Sequence, residues 1–275
     1  MLHKSFHLIE ALFQITTEFY AKTIPRKSIK MLLQKTGIVA HRGVIAHPII
    51  KENTMAAFHE CLKKNIWAIE FDIRWTKDLI PVVHHDPDAI RVWKKGLFIH
   101  EVSFEQLRQE IPEIPTLSEV VEEFGEKLHL MIEVKKLPEF NESQEKTAIY
   151  NLNQALQSLH PEKHYHFMSF QPEELIERFK LPSKSILSIV TTNIESAIHR
   201  ASALEIKGLT GHFALITPRL RRLAKAQNLK VGVGFVNSKN SLLRELQIGT
   251  DYIYSNQPFI IQELLNKIPF TNAQQ

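Results

Sequence analysis

From residue 37 onward, short apolar runs alternate with longer stretches of helical periodicity, and this alternation constrains the fold more than any other feature of the chain. Nine runs read as strands: Ile38–His41, Trp67–Trp75, Pro81–His84, Leu128–Val134, Tyr165–Phe170, Ser185–Val190, Lys207–Thr210, Lys230–Phe235 and Tyr252–Ser255. Helical windows fall between most of them, at Asn53–Lys64, Thr116–Phe124, Glu142–Leu159, Glu173–Phe179, Ile194–Leu204, Pro218–Gln227 and Ser238–Leu246. Near-continuous apolar strands separated by helices predict a parallel α/β sheet. One pair breaks the pattern, because the residues around Thr76-Lys-Asp-Leu79 are too few for a parallel crossover. Trp67–Trp75 and Pro81–His84 must then form an antiparallel hairpin, and a turn on Asp78-Leu79 would set Asp72 opposite His85. Without the return strand eight remain, the number that closes a (β/α)8 TIM barrel.

Composition excludes several classes. With 44% hydrophobic and 23% charged residues the chain is not of the disordered kind. No uncharged apolar stretch approaches the ~18 residues of a membrane span, and the first ten residues lack the apolar core of a secretory signal. Cys61 is the single cysteine, which rules out an intramolecular disulfide and favours a reducing, cytoplasmic setting. Residues 1–36 hold six cations and two anions and so carry the whole net charge of +4, while the body is balanced and shows no nucleic-acid signature. Leu8, Leu12, Ile15 and Phe19 lie on one helical face of this leader. Two readings stay open: a helix packed on the main domain, or an amphipathic helix touching anionic lipid through Lys22, Arg26, Lys27 and Lys30. The expected organisation is an N-terminal helical extension at 1–36, a barrel domain at 37–265 and a tail at 266–275. Localisation is then cytoplasmic, peripheral to a membrane if the leader binds lipid.

Charged residues interrupt the strands at their carboxyl ends, where parallel α/β folds hold their ligands. His41 and Arg42 close the first strand. Glu70 and Asp72 lie two apart in the second and project from one face. His85 and Asp86 close the hairpin, and Glu133 and Lys135 end the fourth strand. Three converging carboxylates repel one another, which a hard divalent cation such as Ca²⁺, Mg²⁺ or Mn²⁺ resolves. His41 and His85 suit acid/base work near neutral pH. His84, by strand alternation, faces the other way. Arg42 and Lys135 suit an anionic group such as a phosphate. Together these groups point to phosphodiester cleavage.

The ordered motifs His41-Arg-Gly43, Glu52-Asn-Thr54, Ala57-Phe58, Glu70-Phe-Asp72, Thr76-Lys-Asp78, Val82-Val-His-His-Asp86, Ile114-Pro-Thr-Leu117, Glu133-Val-Lys135 and Ser169-Phe170 resemble the glycerophosphodiester phosphodiesterase family over roughly residues 37–260. The resemblance implies a (β/α)8 barrel that hydrolyses glycerophosphodiesters to sn-glycerol 3-phosphate and an alcohol through a cyclic phosphate. It implies His41 and His85 as the acid/base pair and Glu70, Asp72 and Glu133 as ligands of one divalent metal. It further implies Arg42 and Lys135 as phosphate holders, with Glu52 near the metal and the glycerol. The chain departs from the family pattern at Lys51, Leu79, Phe235-Val-Asn237 and Asn256, positions expected in the rim and substrate-contact regions rather than at the acid/base groups. The short connection from Pro87 to Pro115 is expected to leave the site open. The apolar, basic leader and open site keep a lysophospholipase D acting on lysophospholipids as an alternative. The departures keep a catalytically weak phosphate-binding or membrane-docking protein as a rival.

Overall fold

The computed structural model describes residues 36–267 except 46, 48, 137 and 138. The leader, apart from Thr36, and all but two residues of the tail lie outside the described residues, and with them the expected amphipathic helix and its lipid contact. Nine strands form one sheet: β1 (Gly37–His41), β2 (Ala68–Trp75), β3 (Pro81–Val83), β4 (His129–Val134), β5 (Tyr165–Ser169), β6 (Ile186–Val190), β7 (Gly208–His212), β8 (Lys230–Gly234) and β9 (Tyr252–Ser255). Eight are parallel and close on themselves, because β1 pairs with both β2 and β9. All nine expected strands are present, and the closed barrel is the expected one.

Helices α1 (Met55–Lys63), α2 (Ile90–Trp93), α3 (Phe104–Glu110), α4 (Leu117–Phe124), α5 (Glu142–Leu156), α6 (Pro172–Glu177), α7 (Ile194–Ala203), α8 (Pro218–Ala226), α9 (Lys239–Ile248) and α10 (Pro258–Lys267) follow in chain order. Their starts are written locally: Thr54, Thr116, Asn141, Thr217 and Ser238 each accept a backbone N–H of the first turn. Strand alternation sorts the interior into two cores. Ile69, Phe71 and Ile73 join the large core with helix residues such as Phe58 and Phe124. Val39, Ala68, Met131, Met168, Leu187 and Tyr254 form the smaller one, a packed layer of the kind that fills such barrels.

The hairpin register differs from the expected one by a residue. Ile73 pairs with Val83 and Arg74 with Val82, so Asp72 lies opposite His84, whose N–H donates to the Asp72 carbonyl at 2.9 Å. The cause is a three-residue loop: Thr76 N–H reaches the Ile80 carbonyl, and Leu79 takes the left-handed conformation at φ 63°. That conformation costs a residue with a Cβ about 1–2 kcal/mol. Leu79 offsets it by burying its side chain in the main core, which is worth on the order of 1.5–3 kcal/mol.

The connection from Pro87 to Pro115 is more structured than its length suggests. It folds into α2, a 3-10 turn at Ile99–Glu101 and α3, around its own cluster of Val82, Ala89, Trp93, Ile99, Leu107, Ile111 and Ile114. At the other end of the barrel the Trp67 ring lies nearly parallel to the rings of His129 and Tyr252, 4.8 and 5.7 Å between centroids. Gly37 makes room for it, since a Cβ there would fall 2.2 Å from the indole. No helix among the described residues is long and apolar enough to cross a membrane.

Candidate active site

Register brings the charged residues together. His41 neighbours Glu70 across β1–β2, and Asp72 neighbours Glu133 across β2–β4. The three acids are buried, and one ligand oxygen from each lies within 4.8 Å of the others. They do not share their charge equally. Burial and the proximity of Asp72 push the Glu70 carboxyl up to about 8 and that of Glu133 up to about 7. Burial also opposes charge on Asp72, but Lys135 and Arg42 outweigh it and hold this carboxyl well below the usual range. Lys135 Nζ stands 2.7 Å from Asp72 Oδ1 and also bonds Glu133, while Asn53 Nδ2 donates to Asp72 Oδ2 at 2.8 Å.

The two histidines are held by different partners. His41 Nδ1 lies 2.6 Å from Asn256 Oδ1, so this nitrogen carries the proton and leaves Nε2 with its lone pair, 3.8 Å from Glu70 Oε2. His85 Nδ1 lies 2.7 Å from Asp86 Oδ1, a carboxylate that also receives Arg91 Nε at 2.6 Å. Burial lowers the pKa of both rings, that of His85 to about 4, so each is neutral near pH 7. His84 bonds the Asp86 carbonyl through Nδ1 and does not line the cavity.

Arg42 sits where the chain leaves β1, in the left-handed conformation at φ 54° and followed by Gly43 at φ 72°. The bend aims its backbone N–H at Glu70 Oε2, 3.0 Å away, and its guanidinium at Asp72 and Glu52. Glu52 is buried and shared: Arg42 binds it at 3.0 Å, and Arg91 binds both its oxygens at 2.6 and 3.0 Å. It lies behind Arg42, outside the cavity lining.

His41, Arg42, Glu70, His85, Glu133 and Lys135 line a cavity of about 410 Å³ at the carboxyl end of the barrel. The donor set suits a hard divalent cation: it is all oxygen, and Glu70 Oε1 is buried with no hydrogen-bond partner. Two of the three carboxyls are raised toward neutrality, the penalty that a cation would relieve.

A profile of the glycerophosphoryl diester phosphodiesterase family matches residues 41–259. The chain belongs to this family. The phosphodiesterase is 27% identical over 247 residues to a glycerophosphodiester phosphodiesterase of Caldanaerobacter subterraneus subsp. tengcongensis, covering 85% of this chain and 99% of the relative. Its barrel is similar to that of a phosphodiesterase from Oleispira antarctica solved with the product sn-glycerol-3-phosphate, at a TM-score of 0.72 and 24% identity, covering 84% and 97% of the two chains. A glycerophosphodiester phosphodiesterase from Thermotoga maritima matches with a TM-score of 0.69 and 21% identity, covering 82% and 97%. The phosphodiesterase is thus a (β/α)8 enzyme of the phosphoric diester hydrolase class, a family whose members are generally metal-dependent, and its acids form a buried oxygen-only trio.

Several partners escaped the sequence reading. Asn256 was expected at the rim, yet it bonds the His41 ring at Nδ1. Arg91 links the excursion to Glu52 and Asp86, and no motif marks it. Asn53 and Asp86 stand in the motifs read from the sequence, and the structure adds their bonds to Asp72 and His85.

Proposed function

We propose that this protein is a divalent-metal-dependent phosphodiesterase that converts glycerophosphodiesters to sn-glycerol 3-phosphate products and a free alcohol. One observation carries the reading: two imidazoles, two cations and the carboxyls of Glu70 and Glu133 line one cavity at the carboxyl end of a barrel, with the buried Asp72 completing the acid cluster behind them. Glu70, Asp72 and Glu133 would hold the ion, which when bound supplies positive charge to the phosphoryl oxygens. Arg42 and Lys135 add fixed cations beside it, and Glu52 with Asp72 fixes the Arg42 guanidinium.

The glycerol hydroxyl next to the ester attacks phosphorus and gives its proton to one imidazole. His41 fits this role because Asn256 leaves Nε2 unprotonated. The phosphorus–oxygen bond to the alcohol breaks, and the alcohol departs with a proton from the second imidazole. His85 fits that role once substrate is bound: burial keeps its ring neutral in the free protein, and the negative charge of the phosphodiester, added to the Asp86 hydrogen bond, favours uptake of the proton at Nε2 that the alcohol then takes. Water then opens the cyclic phosphate with the two roles reversed.

Coupled detection of the glycerol 3-phosphate product tests the reading. Activity should vanish in EDTA and return with Ca²⁺, Mg²⁺ or Mn²⁺. His41→Ala and His85→Ala should each lose about 10²–10⁴-fold in kcat. Near-wild-type turnover in both variants would overturn the acid/base assignment of the two histidines.

A further inference from the structure

The catalytic cavity has two chemically different halves. Beyond the charged groups its wall is mostly apolar, with Met168, Phe170, Ile189, Val190, Leu215 and Phe235 alongside Thr191, Thr210 and His212. A fully deacylated glycerophosphodiester has nothing to gain from that wall, since its glycerol, phosphate and alcohol are polar and the charged half accounts for them. The wall also continues outward. Phe170 is 52% exposed and Leu215 41% exposed, although both line the cavity. Ile49, Ile90 and Phe98, on the connections after β1 and β3, are exposed at the same end of the barrel. Phe170 and Leu215 are thus large apolar side chains that are at once exposed and part of the cavity lining, a pairing that marks a binding surface rather than scattered exposure.

We propose that the preferred substrate carries a single hydrocarbon chain: a lysophospholipid, with its phosphodiester at the acid trio and its chain along the Met168–Phe170–Leu215 wall. The assignment rests on the phosphodiesterase reading above and narrows its substrate class. The chemistry limits the class further. Attack on phosphorus needs a free hydroxyl next to the ester, which a 1-acyl lysophospholipid has and a diacyl phospholipid lacks. The hydroxyl oxygen bonds to phosphorus, the bond to the headgroup alcohol breaks, and that alcohol leaves with the proton. Water then opens the ring to a 1-acyl glycerol 3-phosphate.

The test is a series with one headgroup, run on the metal-loaded full chain below the micellar range: glycerophosphocholine, 1-acyl lysophosphatidylcholines of increasing chain length, and a diacyl phosphatidylcholine. Choline release reads every member. Each methylene fully removed from water is worth about four-fold in affinity, so kcat/KM should climb at least tenfold from glycerophosphocholine to a twelve-carbon chain, and the diacyl lipid should be inert. Phe170→Ser and Leu215→Ser should lower the ratio of kcat/KM for the twelve-carbon lysolipid over glycerophosphocholine by several-fold. Equal or falling kcat/KM with chain length, while glycerophosphocholine is cleaved, would overturn the chain-binding proposal and leave the phosphodiesterase reading standing. Binding gives an arm independent of turnover: dodecylphosphocholine, which has no hydroxyl to attack, should bind at least tenfold tighter than phosphocholine by calorimetry. If no substrate is turned over but this preference appears, the phosphodiesterase reading fails and the chain site remains. Equal binding of the two probes overturns the chain site.

Discussion

Two groups of charges are buried among the described residues, and they are built on opposite rules. In the helix layer, Arg221 on α8 and Arg244 on α9 share the single carboxylate of Glu245, at 2.5 Å each. Thr250 Oγ1 donates to the same carboxylate at 2.7 Å and accepts from Arg221 Nη1, while the carbonyls of Ile216 and Phe213 accept from Arg221 Nε and Arg244 Nη1. Donors and acceptors match, which is what makes a buried ion pair tolerable. At the catalytic rim the balance is broken. Carboxylates crowd together, two of them are raised toward neutrality, and Glu70 Oε1 has no hydrogen-bond partner. A closed network ties helices together, whereas an open one has lone pairs to spend on a ligand.

That contrast is open to direct attack. Glu70→Gln should cost about 10³-fold or more in kcat/KM, since a metal contributes several kcal/mol to the transition state. Its melting temperature in EDTA should hold or rise, because the variant removes repulsion from a carboxyl already driven toward its neutral form. A large loss of stability would mean that the rim is as closed as the helix layer. Glu245→Ala should do the reverse. Leaving two buried guanidiniums without their carboxylate should lower the unfolding free energy by about 3–5 kcal/mol, while turnover per folded molecule is kept; a change below about 1 kcal/mol would refute the structural role.

Acid should separate a third region from both. His129 and His166, bonded at 2.7 Å on the barrel floor, are lowered by burial to about 4 and about 3. Between those values and 6.5 the unfolded chain binds more protons than the folded one, so stability rises with pH and is lost as pH falls through this window. At about 1.4 kcal/mol per pKa unit the loss is on the order of a few kcal/mol. Denaturation midpoints of His129→Gln and His166→Gln between pH 4 and 7 should follow a shallower slope, and an unchanged slope would assign the acid sensitivity elsewhere. The smallest effect belongs to Asn256→Ala. Removing one hydrogen bond, worth about 0.5–1.5 kcal/mol, should lower kcat by up to about tenfold with KM and melting temperature little changed; a shift in KM alone would contradict its hold on His41.

The barrel was legible because its signals are local and repeated. Apolar strands, helix caps such as Thr116 and Asn141, and the two-residue spacing of Glu70–Asp72 and Glu133–Lys135 each act within a few residues. What escaped depends on distant contacts or on conformations that a side chain does not advertise. Asp72 was set opposite His85 because Leu79 carries no mark of a left-handed residue, and one added loop residue shifts the ladder. Helix α2 is a four-residue helix, too short for any periodicity, so Arg91 could not be seen reaching Glu52, thirty-nine positions away. Asn256 meets His41 only because β9 closes the barrel against β1. The departures at Lys51 and Phe235 become readable only in three dimensions: Lys51 lies over the Trp93 ring at 4.1 Å, and Phe235 packs edge-on to His41 at 6.1 Å between centroids.

The indole slab at the barrel floor also has a practical use. Of the three tryptophans, Trp75 and Trp93 are enclosed and Trp67 alone faces water. A collisional quencher such as iodide should therefore extinguish one emitter and spare the other two. Because that emitter stacks on the His129 imidazole, its brightness should dim as the ring takes up a proton, making the protein its own optical gauge of the far end of the barrel from its catalytic mouth.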